Sequence, residues 1–67
     1  MSHNSELILQ KVMGLDEEAA LALIKYYGMV SRITRRDEER YVCTRDFRRE
    51  RMNIEFENGV VTRAEVG

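Results

Sequence analysis

The chain has 67 residues, room for one domain with one modest core and too little for two domains or a deep catalytic cleft. Charged residues make up 34% and nearly cancel to a net charge of -1, while 43% are hydrophobic, too many for a disordered chain. The single cysteine, Cys43, excludes an internal disulfide, and one histidine, His3, leaves no metal-ligand spacing and no base for a cysteine nucleophile. No Gly-rich phosphate loop occurs either, so neither an enzyme nor a cofactor or metal is expected.

Residues 1–5 are expected to be a flexible tail carrying His3. They lack the basic-then-apolar pattern of a signal peptide, and Leu7-Ile8-Leu9 is far too short to span a membrane. A cytoplasmic or other soluble location is expected, although a mature secreted chain has the same look. Residues 7–13 are apolar at helical spacing, which predicts a turn or two of helix ending at Gly14. The main helix is read over residues 16–28. Asp16 caps its first turn, Glu17 and Glu18 suit the positive end of its dipole, and Gly28 stops it. Ala20, Leu23, Ile24 and Tyr27 share the stripe that should face the core.

A first strand follows at residues 29–34, with Val30 and Ile33 as its strongest formers. Arg35-Arg36-Asp37-Glu38-Glu39-Arg40 is charged throughout and is expected to run over the surface as part of a long loop. In the last third, Met52, Ile54 and Phe56 alternate with Asn53, Glu55 and Glu57, the period of a half-buried strand, and Asn58-Gly59 signals a turn. A two-residue turn sets Ile54 opposite Arg63. A three-residue turn, 57–59 with Gly59 at positive φ, pairs Phe56 with Val60, Ile54 with Thr62 and Met52 with Ala64. The second register keeps one face apolar and is the one expected. The fold class is therefore α+β: one domain over 1–67, with a single main helix on a small mixed sheet and a long exposed loop between the first two strands.

That loop ends in Val42-Cys43-Thr44-Arg45-Asp46-Phe47-Arg48, followed by Arg49-Glu50-Arg51. Loops of this length in compact domains are often functional. Val42, Cys43 and Thr44 favour an extended backbone, which would leave Arg45 clear of the body. Thr44-Arg45-Asp46-Phe47-Arg48-Arg49-Glu50-Arg51-Met52-Asn53-Ile54 resembles the reactive-site segment of the potato inhibitor I family of serine protease inhibitors, which includes the leech eglins and the barley chymotrypsin inhibitor. The shared pattern is Thr, any residue, Asp, an apolar residue, Arg, two residues, Arg, then an alternating strand; the match looks nearest to the bacterial branch. Ser5-Glu6-Leu7, Met13-Gly14 and Val66-Gly67 are similar to the family at corresponding places.

The resemblance implies an inhibitory loop of Val42, Cys43, Thr44, Arg45, Asp46, Phe47 and Arg48, with Arg45 as the specificity residue and Arg45–Asp46 as the scissile bond. Thr44 and Asp46 would hold the loop by hydrogen bonds, Arg51 would bond both of them from below, and Arg48 would brace the loop near Gly67. Family members often carry a second scaffold arginine where this chain has Asn53. The implied partner is a trypsin-like or basic-specific subtilisin-like serine protease. The scaffold could instead serve a protein-binding module with a non-protease partner, since fold does not fix function. Eight arginines lie between Arg32 and Arg51, but five acids are interleaved, which counts against nucleic acid. A monomer is expected, with a Cys43-linked dimer as the one covalent route to a larger species.

Overall fold

The computed structural model describes residues 5–67, so most of the expected tail, His3 included, lies outside the described residues; Ser5 already opens a helix. In chain order the elements are α1 (Ser5–Val12), α2 (Glu17–Tyr26), β1 (Val30–Arg36), β2 (Glu39–Arg40), β3 (Arg51–Glu57) and β4 (Val60–Val66). The strands form one mixed sheet in the order β2-β1-β3-β4, with β1 and β3 parallel and the other two pairings antiparallel.

The α2 ends behave as their residues dictate. Asp16 sits in extended backbone and its carboxylate accepts from the Ala19 N–H at 2.8 Å. At the other end Gly28 takes φ +78°; its N–H reaches the Lys25 carbonyl while the Met29 N–H reaches back to Ile24. That double bond pattern satisfies the last carbonyls and turns the chain into β1. The fold class named a single main helix; the stretch read as a turn or two of helix is a second one, α1, which takes in residues 7–12, leaves Met13 beyond its end and buries Ile8 and Val12. The segment between the helices is tied to the sheet, with the Gly14 N–H donating to Val61 and the Val61 N–H donating to Leu15, both at 2.9 Å.

Both helices cover one face of the sheet. Ile8, Val12, Ala20, Ile24, Met29, Met52, Ile54, Phe56 and Val61 form the core, none more than 3% exposed. Burying a side chain of this kind contributes about 1.5–3 kcal/mol. No helix among the described residues is long and apolar enough to cross a membrane.

Two sequence expectations for the strands are corrected. The charged run does not stay in one long loop. β1 continues through Arg36, turns at Asp37 (φ +54°) and returns as β2, so the exposed loop lies between the second and third strands, at residues 41–50. The two arginines that extend β1 are paired. Arg35 reaches Glu55 and Glu57, each at 2.8 Å, and Arg36 reaches Glu17 at 2.6 Å. The Arg35 guanidinium is raised further above its usual range by Glu55 and then Glu57, while Arg35 lowers Glu55.

The β3–β4 register also differs from the three-residue turn. Glu57 faces Val60 across Asn58 and Gly59, which both have positive φ (53° and 80°), the geometry of a tight two-residue hairpin. Phe56 then faces Val61, not Val60, and Ile54 would meet Arg63 if the ladder ran on evenly. A bulge removes the conflict: Glu55 pairs with Arg63 while Phe56 pairs with Val61, leaving Thr62 as the extra residue. Ile54 thereby faces Ala64 and Met52 faces Val66, so the inner face remains apolar.

Candidate functional site

The strand β3 has two jobs because its period is two. Met52, Ile54 and Phe56 point into the core, which sends Arg51, Asn53 and Glu55 to the opposite face. Residues 41–50 lie on that opposite side, so Arg51 and Asn53 stand beneath the loop.

Within the loop, the Thr44 hydroxyl donates to the Asp46 carboxylate, a link that spans Arg45. Arg48 Nε donates to the other Asp46 oxygen at 3.0 Å. From below, Arg51 Nη2 donates to the Asp46 main-chain carbonyl at 2.7 Å, with a longer 3.5 Å approach to its carboxylate. The Thr44 hydroxyl, then Arg48 and Arg51, hold the Asp46 carboxyl well below the usual carboxylate range. Arg45 is exposed, and its side chain has no hydrogen bond or ion pair among the described residues.

The C-terminal end of β4 closes the site. Arg51 donates to the Gly67 main-chain oxygen from both Nη2 (2.8 Å) and Nε (3.3 Å), and the Arg48 N–H donates to the same oxygen at 3.2 Å. The Gly67 N–H returns a bond to the Arg51 carbonyl at 3.0 Å. A Cβ on Gly67 would stand 2.8 Å from the Asn53 amide nitrogen, so a side chain there would have to displace the Asn53 amide.

The sequence-derived roles are redistributed by this geometry. Arg48 was expected to brace the loop near Gly67; it reaches Gly67 through its main-chain N–H, while its side chain goes to Asp46 and Arg51 makes the side-chain grip on Gly67. Arg51 was expected to bond both Thr44 and Asp46; it bonds only Asp46 of the two. Thr44 is reached instead by Arg32, a residue the sequence presented only as one of eight arginines. Its Nη1 lies 3.0 Å from the Thr44 hydroxyl and 3.5 Å from the Thr44 carbonyl, while its Nε donates to Asn53 Oδ1 at 2.9 Å. The signal for this contact was the parallel pairing of β1 with β3, which sets Arg32 beside Asn53 and is not a local property of either segment.

Val42 and Phe47 are strongly exposed and take no part in this network. Cys43 is half-buried: its thiol sits 3.5 Å from the Tyr41 carbonyl and it lines a groove with Tyr41, Asn53 and Glu55. Thr44, Asp46, Arg48, Arg51, Asn53 and Gly67 are thus brought together, and Arg45 stands between them and solvent. Among the described residues no cluster of His, Cys, Asp and Glu is arranged to hold a metal ion. No family model, curated protein or solved structure matches this chain.

Proposed function

We propose that this chain is a serine protease inhibitor of the potato inhibitor I type, presenting residues 42–48 as a substrate mimic with Arg45–Asp46 in the position of the scissile bond. One observation carries the reading: Arg45, without a partner among the described residues, projects between Thr44 and Asp46, which are bonded to each other, and Asp46 is gripped by Arg48 and Arg51. A protease binds an extended segment by adding it to a strand edge of its own. A segment already held in shape avoids ordering costs of roughly 0.5–1.5 kcal/mol per immobilised side chain.

The same bracing slows turnover. When the protease serine attacks the Arg45 carbonyl, the Arg45–Asp46 bond breaks and the new Asp46 amine is the leaving group. Arg51 keeps the Asp46 carbonyl on the scaffold, so the amine stays beside the acyl ester. Its attack on the ester carbon reforms the peptide bond and returns a proton to the serine oxygen. The Arg45 guanidinium fits a specificity pocket with a carboxylate at its base, which selects trypsin-like enzymes or subtilisin-like enzymes that accept basic residues.

Titration of the chain against trypsin, chymotrypsin and a basic-specific subtilisin-like protease at micromolar concentration tests the proposal. Stoichiometric inhibition of the Arg-accepting enzymes is expected, and Arg45→Leu should move preference to chymotrypsin with little change in Tm. Absence of inhibition across the panel would sink it, and would leave the exposed Phe47 and Val42 as anchors for a non-protease partner.

A further inference from the structure

The bonds that grip Asp46 leave the other side of the Arg45–Asp46 bond to be explained. Arg51 spends its bonds on Asp46 and Gly67, and Arg48 spends its side chain on Asp46 and, at 3.9 Å, on Glu50. Neither touches Thr44. We infer that Arg32 is the positioning residue for the Thr44 side of the bond, with Asn53 as the acceptor that aims it. The inference rests on the inhibitor reading above and assigns a role within that site.

Three features support it. Arg32 lies on β1, an inner strand of the sheet, directly beside Asn53 in the parallel ladder, so its origin is fixed by the fold and not by the loop. Its Nε is committed to Asn53, which leaves the Nη1 end of a half-buried planar fork directed at Thr44. The Thr44 hydroxyl that accepts from Arg32 also donates to Asp46, so the pull is relayed across Arg45 into the Arg48 and Arg51 bonds. This also accounts for an uncharged residue at position 53. An arginine there would set two like charges side by side across the ladder, whereas Asn supplies an acceptor. The loop is therefore clamped from two strands, its Thr44 side by β1 and its Asp46 side by β3. In the acyl state the Arg45 carbonyl needs the first clamp as much as the Asp46 amine needs the second.

The test compares wild type, Arg32→Ala and the double variant Arg32→Ala/Asn53→Arg, which moves the guanidinium from β1 to β3. Each is incubated with trypsin, cleavage at Arg45–Asp46 is followed by mass spectrometry, and Tm is recorded. Loss of a charge-assisted bond predicts cleavage of Arg32→Ala roughly tenfold faster than wild type. The double variant should recover most of the protection, which a merely structural Arg32 would not permit. Equal cleavage of Arg32→Ala and wild type, or faster cleavage that the double variant does not reverse, overturns the inference. If wild type is itself cut as fast as a flexible peptide, the inhibitor reading fails, and the heteronuclear NOE of the Thr44 amide decides the role of Arg32 separately. A fall in that NOE in Arg32→Ala sustains the positioning role, and an unchanged value overturns it.

Discussion

On the helix-covered side of the sheet, Met52, Ile54 and Phe56 meet Ile8, Val12, Ala20 and Ile24 in a core of side chains at most 3% exposed. On the other side, Arg32, Arg48 and Arg51 hold the loop through Thr44, Asp46 and Gly67, with Asp46 and Arg48 about half exposed. The first region is held by apolar burial, which is non-directional and scales with area. The second is held by directed bonds, which set geometry more than they set stability. A molecule divided in this way can lose the shape of its loop while keeping its fold, but cannot keep the loop once the fold is gone.

The largest effect should come from the core. Ile54→Ala removes a fully buried side chain at the centre of β3 and should cost about 2–5 kcal/mol, read as a drop in the denaturant midpoint. The proposed inhibition should vanish with it. Retained inhibition at full strength after such a loss would break the dependence of loop on core. Next is Arg51→Ala. Its guanidinium makes the bonds to Asp46 and Gly67, so cleavage at Arg45–Asp46 should rise roughly 10–100-fold, with a fall in Tm much smaller than that of Ile54→Ala. A variant that melts early yet resists cleavage would reverse the division between the two regions.

The smallest effect concerns pH. The Asp46 carboxyl is depressed in the folded chain, so its bonds contribute fully above its ordinary value of 3.8 and are lost only as pH falls through the lower folded value. The Asp46 side-chain carbon shift should therefore hold steady from neutral pH down past 3.8. A titration midpoint at the ordinary value would show that Thr44 and Arg48 do not brace Asp46 in solution.

How much of this was legible depends on whether each feature is local. Asp16 and Gly28 bracket α2 because caps act within a few residues, and the alternation of Met52, Ile54 and Phe56 named the buried face of β3 directly. The hairpin register escaped because the apolar face could be kept in two ways, by a longer turn or by a bulge, and the chain uses the bulge at Thr62. The β1–β2 turn escaped because Asp37 takes positive φ with support from afar: its N–H donates to Phe56, and its carboxylate accepts from the Asn58 N–H. In the site, Asp46, Arg48 and Arg51 sit within a few residues of one another and were visible as a group. Arg32 was not, because its partner Asn53 is brought beside it only by a parallel pairing across the whole loop.

That parallel pairing has a topological outcome. A nick between Arg45 and Asp46 divides the chain into two pieces, one holding Ile8, Val12, Ala20, Ile24 and Met29 and the other holding Met52, Ile54, Phe56 and Val61. Neither piece owns a core, and the seam joining them is the β1–β3 ladder in the middle of the sheet. A chain nicked there is therefore expected to persist as a non-covalent heterodimer of its own fragments, unchanged in size on a native column and resolved into two bands only when denatured.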